Sequence, residues 1–110
     1  MAKEFLNDFE ELILSMVAAL DENAYGAAIA LEVEKWLGRK VTLSAVHVVL
    51  YRLEDKGYAK SKVGGATAER GGRSKRIYTI TTAGIGVLRS MKEKRTEIWK
   101  LVPQLKSVHT

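Results

Sequence analysis

The residues with the clearest chemistry lie in the stretch ERGGRSKRIYTITTAG, residues 69–84, where a glycine-rich run carries several cations. Between residues 58 and 80 one acid, Glu69, accompanies six bases: Lys60, Lys62, Arg70, Arg73, Lys75 and Arg76. Clustered ammonium and guanidinium groups attract phosphates or anionic lipids, and glycines permit sharp turns and close approach of the backbone. The stretch predicts a polyanion-binding loop; a solvated charged face kept for solubility is the simpler alternative.

The distribution of charge along the chain favours the first interpretation. The 110 residues have a formal net charge of +5, but residues 1–40 alone have −4 and residues 81–110 have +4. The N-terminus mixes acids into its apolar stripe, unlike a signal peptide, and every apolar run is far shorter than the roughly 20 residues that span a bilayer. We expect a soluble, cytoplasmic protein with no membrane contact.

Side chains for catalysis or metal binding are scarce. The sequence has no cysteine, and its two histidines are His47 and His109. This composition excludes disulfides, thiolate nucleophiles and cysteine-rich zinc sites, and it suits a reducing cytoplasm. The glycine-rich run fails the phosphate-loop pattern, because Arg70 stands where a second glycine is required. We expect a protein that is not an enzyme and that uses no cofactor or metal.

The apolar pattern predicts a mainly α chain with one small β-hairpin. Apolar residues recur at helical spacing over 5–20, 25–38 and 44–57. The spacing changes to alternation at 58–63 and again at 76–80. The glycine-rich run joins these two alternating segments, so it is expected to form the tip of the hairpin.

The third predicted helix has two different faces. Val46, Leu50 and Leu53 share one side and are expected to point inward. A side that exposes apolar, aromatic and cationic residues together is expected to contact a partner. The N-cap of this helix and the residues on or beside its outer face are Thr42, Ser44, Ala45, His47, Val48, Tyr51 and Arg52.

The first helix and the final helix are more apolar than one small core requires. Thr81 or Thr82 can cap the final helix, which is expected to end near residue 105, with Pro103 kinking or ending it. An apolar face without an internal partner favours a second subunit in so short a chain. The expected homodimer interface comprises Phe5, Phe9, Leu12, Met16, Ile85, Leu88, Met91, Ile98, Trp99 and Val102.

Three helices, a hairpin with a cationic tip and a trailing amphipathic helix form the order of a winged helix-turn-helix domain. We divide the single domain 1–110 into a winged-helix core, 1–80, and a C-terminal dimerisation helix, 81–107. In such a fold the third helix enters the major groove of double-stranded DNA, and the cations of the wing contact phosphates or the minor groove. The expected DNA-binding residues are the cap and outward set of the third helix together with the six bases of 58–80.

Three segments resemble the PadR family of bacterial transcriptional regulators: AYGAAI at 24–29, LYRLEDKGY at 50–58 and RIYTITTAG at 76–84. The short final helix is similar to that of the shorter, single-domain members. The resemblance implies a homodimer in which the final helix packs against the first helix of the other subunit, and a role mainly in repression. It also implies that some members bind small planar hydrophobic effectors at the dimer interface.

The expected function is that of a sequence-specific DNA-binding regulator, a repressor that acts as a homodimer on a palindromic operator and is released by a small hydrophobic ligand. Family members usually carry a Tyr-Pro pair where this chain has His47 and Val48, so their operator is not transferable. The alternative is a winged-helix module that binds protein or RNA and uses the basic wing as a non-specific polyanion grip.

Several single residues have two interpretations. His47 is either a DNA contact or an exposed histidine that touches nothing. Arg52 either binds phosphate or pairs with Asp55 three residues further on.

The aromatic residues outside the third helix are assigned mainly to packing. Trp99 is expected either to line a ligand pocket or to pack in the dimer interface. Tyr78 is expected in the core of the wing, and Trp36 in the core or at the edge of the second helix.

Overall fold

A computed structural model describes residues 5–64 and 75–106 of the chain. It contains, in order, α1 (Asp8–Leu20), a 3₁₀ turn (Asp21–Asn23), α2 (Gly26–Leu37), α3 (Leu43–Asp55), β1 (Ala59–Val63), β2 (Arg76–Ile80), α4 (Thr82–Trp99) and α5 (Pro103–Lys106). The mainly helical class with one small hairpin, predicted from the apolar spacing, is confirmed.

Polar side chains begin three of the helices. Asn7 accepts a hydrogen bond from the Glu10 backbone N–H, and Glu10 accepts one from Asn7 N, so the first turn of α1 has a reciprocal capping box. Thr42 and Thr81 cap α3 and α4 by accepting from the backbone N–H three residues on. Thr42 is thus the cap of the third helix, and of the two threonines offered for the final helix Thr81 is the one used.

The end of α2 and the turn into α3 follow from one glycine. Gly38 has φ +70°, the left-handed conformation that ends many helices, and its N–H donates to Glu34 O. Only four residues, 39–42, then separate it from α3. The short connection forces α3 to cross α2 closely, which is the arrangement of a helix-turn-helix.

One apolar core lies between α1, α2 and α3, and it is closed by the hairpin and the first half of α4. Val46, Leu50 and Leu53 point into it as predicted. The largest fully buried side chains are Tyr78, Leu6, Ile13, Leu14, Ile29, Leu50, Leu53, Met91, Val17, Val33 and Val46. Every element except α5 and the 3₁₀ turn therefore contributes to the same core.

The hairpin is antiparallel and is attached to the helices along its second strand. Ala59 pairs with Ile80 and Val63 pairs with Arg76. On the other edge of β2, Tyr25 forms an isolated bridge with Ile77, and Tyr78 N donates to Ala24 O at 2.8 Å. The start of α2 thus fixes the position of β2.

Two apolar residues differ from their predicted environment. Met91 was assigned to the dimer interface but is only 1% exposed, because it continues the stripe of Gly84 and Val87 that packs on the core. Trp36 was assigned to packing but is 71% exposed. Trp36 lies on the same face of α2 as the buried Val33, but the last turn of α2 extends beyond the core. The helical periodicity therefore predicted the face of Trp36 correctly and its burial wrongly.

The C-terminal helix also differs from the prediction. The helix α4 ends at Trp99, a turn follows, and α5 begins at Pro103. A proline disfavours helical conformation in the residue before it, which keeps Val102 outside both helices. Within the part of the chain that the structure describes, no helix has the length and apolar character needed to cross a membrane.

Candidate nucleic-acid interface

The outer face of α3 is open to solvent over its whole length. Ser44 is exposed at the first turn, Val48 is 52% exposed and Tyr51 is 57% exposed. Leu43, which was not assigned to the site, is 47% exposed beside them. Ala45 is partly buried at the border of this face. A protruding helix with such a surface has the width that the major groove of DNA accepts.

His47 does not extend freely into solvent. Its ring meets the Tyr51 ring edge-on at 5.9 Å, and it lies against Gly26 at the start of α2. A Cβ on Gly26 would come within 2.7 Å of His47 Nε2, so any larger residue there would displace the histidine. The interpretation of His47 as a residue that touches nothing is wrong. It packs between the two helices of the helix-turn-helix.

Arg52 is held by α1. Its Nη1 donates to Glu10 Oε2 at 3.2 Å, whereas the sequence had offered Asp55 as the ion-pair partner. The Arg52 side chain remains 46% exposed and the Glu10 side chain only 8%. The ion pair therefore links the outer side of α3 to a buried carboxylate.

The cations of the hairpin do not form one surface. Side chains alternate along β1, so Lys60 and Lys62 lie on one face and Ser61 on the other. Arg76 is on the side of Ser61, since its Nη1 donates to Ser61 Oγ at 3.0 Å. Ser61 Oγ in turn donates to Glu54 Oε2 at 2.8 Å, which ties the wing to the last turn of α3.

Lys75, at the end of the hairpin where the connecting loop begins, packs on an aromatic ring. Its Nζ lies 4.1 Å from the centre of the Tyr25 ring, which is a cation–π contact. Arg70 and Arg73, which the sequence placed at the tip, lie outside the described residues. The cationic tip therefore stays a prediction.

Tyr78 belongs to the core of the wing, as predicted. It is fully buried, and within the described residues its hydroxyl has no hydrogen-bond partner. Burial raises the pKa of this phenol above its ordinary value; the charge of Glu54 raises it further and Arg76 opposes the shift. A buried phenol of this kind packs and does not stack on a base.

Arg39 and Lys40 are candidate site residues that the sequence analysis missed. Both are exposed in the turn before α3. With Phe9, Val41, Thr42 and Ala45 they line a depression of about 320 Å³ next to the N-terminus of α3. Helix N-termini and nearby cations both favour phosphate. The available signal was the pair of adjacent bases one residue before the cap Thr42, which the net charge of −4 over residues 1–40 conceals.

A groove of about 530 Å³ lies between α1 and α4, away from the face just described. Its lining residues are Glu11, Ser15, Leu88, Lys92, Arg95, Thr96 and Trp99. Arg95 crosses the groove to Glu11, with Nη1 and Oε2 2.6 Å apart. This hydrogen bond is the main cause of a raised pKa for Arg95. Trp99, the predicted ligand contact, therefore does lie at a groove.

The predicted dimer-interface residues differ in exposure, with Met91 buried and Val102 partly buried. Phe9, Leu12, Met16 and Leu88 are partly buried against the core. The residues left open to solvent are Phe5, Ile85, Ile98 and Trp99, which are 59%, 42%, 56% and 58% exposed, and Leu101, not assigned earlier, is 78% exposed. Three of these residues, Ile98, Trp99 and Leu101, lie together in sequence at the end of α4 or just beyond it.

No family model and no curated protein matches the sequence. Solved structures do match. A PadR-like transcription factor from Bacteroides fragilis has a TM-score of 0.71 and 20% identity, with 88% of each chain covered. A PadR-like transcriptional regulator from Bacillus cereus has a TM-score of 0.70 and 20% identity, over 88% of this chain and 89% of that one. The structure of RosR from H. salinarum has a TM-score of 0.70 and 20% identity, with 93% of this chain and 84% of that chain covered.

These likenesses confirm the fold that the motifs predicted. The chain has the winged helix-turn-helix fold of PadR-like transcriptional regulators, with α3 as the second helix of the helix-turn-helix and β1–β2 as the wing.

Proposed function

We propose that the protein is a sequence-specific DNA-binding transcriptional regulator. The observation that carries the proposal is the joint placement of an exposed α3 and cations on both of its flanks. Arg39 and Lys40 precede the helix, and Arg76 is linked to its end through Ser61 and Glu54. Base contacts along α3 would read the sequence while the flanking cations bind phosphates.

The regulator is proposed to act as a homodimer on a palindromic operator. Ile98, Trp99 and Leu101 expose apolar surface at the end of α4 that the chain itself does not cover. A two-fold interface built on this surface would place two α3 helices in successive major grooves, about 34–36 Å apart. Binding across a promoter would block transcription, so repression is the proposed outcome.

A small planar hydrophobic effector is proposed to release the DNA by binding near Trp99. The α1–α4 groove offers the indole of Trp99, the apolar side chain of Leu88 and the ammonium of Lys92. Such a ligand would shift the regulator only if it binds one dimer geometry more tightly than the other. Titration of a Trp36→Phe variant with planar aromatic compounds, with and without DNA, tests this part separately, because Trp99 is then the one tryptophan that fluoresces.

Footprinting on the DNA upstream of the protein's own gene tests the main proposal. We expect protection of one inverted repeat. Val48→Ala and Ser44→Ala should change which base pairs matter, at about 1–3 kcal/mol per mismatched pair, more than they change binding to unrelated duplex. A variant at Ala27, exposed on α2, serves as the control that should leave the footprint unchanged.

The result that contradicts the proposal is equally defined. Weak binding that is indifferent to duplex sequence, in wild type and variants alike, would favour the alternative of a winged-helix module for RNA or protein.

A further inference from the structure

Glu10 is the only buried carboxylate among residues 5–64 and 75–106, with a side chain just 8% exposed. Its two oxygens have different partners. Oε1 accepts from Asn7 N at 3.1 Å and so caps its own helix. Oε2 accepts from Arg52 Nη1 at 3.2 Å and lies 3.9 Å from Lys56 Nζ. The carboxylate is thus fixed by α1 on one side and occupied by α3 on the other.

The two cations that meet Glu10 are one helical turn apart on α3. Like charges at positions i and i+4 repel each other, and a carboxylate between Arg52 and Lys56 removes that repulsion. A buried charge is costly unless it is paired, so the packing of α1 on α3 keeps this contact in place. The pairing therefore orders side chains of α3 before any ligand arrives.

Arg52 retains donors for a second partner. A guanidinium has five N–H donors in a rigid fork, and the contact with Glu10 uses Nη1. The side chain is 46% exposed and lies on the same outer face as Val48, one turn earlier. An arginine that is already held in one orientation loses less conformational entropy on binding than a free one.

We propose that Glu10 is a positioning residue for DNA recognition. It holds the guanidinium of Arg52 so that the remaining N–H donors meet a phosphate of the duplex. This inference rests on the proposed function, and it assigns to α1, the helix next to the α4 groove, a direct part in setting the geometry of α3.

Net charge and the positioning role predict changes in DNA affinity of opposite sign when Glu10 is neutralised. Neutralising an acid close to a DNA-binding face should strengthen binding to a polyanion. If Glu10 positions Arg52, neutralising it should weaken binding to the preferred duplex. A purely structural role would lower the melting temperature without changing the affinity of the molecules that remain folded.

The experiment compares Glu10→Gln with Glu32→Gln, using duplex DNA carrying the footprinted repeat and an unrelated duplex of equal length. Glu32 is the control, because it also pairs with a cation, Lys35, but within α2 and in none of the proposed sites. We expect Glu10→Gln to bind the repeat about tenfold more weakly, as for the removal of one charge-assisted hydrogen bond. Glu32→Gln should bind both duplexes as wild type does or slightly more tightly.

A double-mutant cycle tests whether Glu10 affects DNA binding through Arg52. Arg52→Ala should weaken binding to a similar extent, and adding Glu10→Gln to it should cost nothing further, because the two residues act as one unit. Circular dichroism confirms that each variant is folded at the assay temperature. Should Glu10→Gln not fold, Glu10→Asp, which keeps the charge but withdraws it by one methylene, must show the same weakening.

The outcomes are distinguishable from failure of the proposed function. Wild-type protein that shows no preference for any duplex would remove the proposed function and this inference with it. Wild type that prefers the repeat, with Glu10→Gln binding as tightly as Glu32→Gln or with additive effects in the cycle, would overturn the positioning role alone.

Discussion

The helices α3 and α4 use their apolar residues in opposite ways. α3 buries Val46, Val49, Leu50 and Leu53 in a continuous stripe on the core. α4 has 18 residues but buries only Gly84, Val87 and Met91, all in its first ten positions. Its last turn and the segment beyond leave large apolar side chains in solvent.

The difference divides α4 into a half that packs on the core and a half that does not. Its first half is part of the winged-helix body, since it approaches the hairpin at Gly84 and fills the core at Met91. Its second half is linked to α1 by the Arg95–Glu11 ion pair, in which the Arg95 side chain is 41% exposed and that of Glu11 18%. Solvent weakens an ion pair that is partly exposed, so this link contributes little stability. Stability should therefore depend on α3 and the start of α4, and assembly on the end of α4.

Truncating one apolar side chain on each helix should give the largest contrast. Leu50→Ala removes a fully buried side chain and should cost about 2–5 kcal/mol of unfolding free energy. Ile98→Ala removes a side chain that is 56% exposed and should change the stability of the isolated subunit by less than about 0.5 kcal/mol. Urea unfolding at low protein concentration measures both, and equal effects would contradict the division of α4.

Ile98→Asp addresses the second half of α4 directly. A charge in the proposed interface should dissociate the homodimer, because each large apolar side chain kept in water forgoes about 1.5–3 kcal/mol of burial. Sedimentation at micromolar concentration should give a monomer with an unchanged far-ultraviolet spectrum. Wild type that is itself monomeric, yet protects its operator, would refute the dimer.

Gly84 and Gly86 offer a matched pair within the first half of α4. A Cβ at Gly84 would collide with the carbonyl oxygen of Tyr58 and with Ile80 Cγ1, whereas nothing lies within 4 Å of one at Gly86. Gly84→Ala should therefore destabilise the fold by about 1–3 kcal/mol through overpacking. Gly86→Ala should stabilise it by about 0.5–1 kcal/mol through helix propensity. Thermal unfolding tests the pair, and a tolerated Gly84→Ala would mean that α4 does not dock as described.

Removing two positive charges next to α3 should affect DNA binding more than removing two from α4. Arg39→Ala with Lys40→Ala, before α3, should reduce the slope of log affinity against log salt by about 0.9 for each phosphate that is no longer neutralised. Arg89→Ala with Lys94→Ala, on α4, removes the same charge and should leave the slope nearly unchanged. Fluorescence anisotropy across a salt series measures both slopes. Equal reductions would show that net charge, not placement, binds the DNA.

The smallest effect concerns Tyr78 and pH. Because the pKa of Tyr78 is raised in the folded state by burial, its contribution to stability is complete below the unfolded value of about 10 and is lost as pH rises through the folded value. Tyr78→Phe should be neutral or slightly stabilising at pH 7, since it removes a buried hydroxyl without a partner among the described residues. Its advantage over wild type should increase above pH 10 in unfolding measurements.

Local rules predicted most of the elements of this chain. Alternation placed both strands of the hairpin, and the threonine pair 81–82 marked the start of α4. These features depend on neighbours within a few residues, which is the range over which capping and periodicity act. The face that α3 turns to the core was predicted for the same reason.

Features that depend on distant residues were not predicted. The ion pair of Arg52 with Glu10 joins positions 42 apart in the chain, and nothing in the sequence near Arg52 favours Glu10 over Asp55. Trp36 lies on the correct face but past the edge of the core, and periodicity does not tell where a core ends. The separation of Lys60 and Lys62 from Arg76 likewise required the register of the hairpin.

The start of α4 is clamped and its end is a lever. The Thr81 hydroxyl accepts from Gly84 N and donates to Gly57 O at 2.6 Å, its N–H donates to Tyr58 O at 3.0 Å, and Met91 is buried in the core. The eight residues from Lys92 to Trp99 extend about 12 Å beyond that clamp. A bend of about 10° after Met91 would therefore move Trp99 by about 2 Å. In a pair of subunits joined at the far ends of these levers, the distance between the two α3 helices would depend on the bend of this unburied segment.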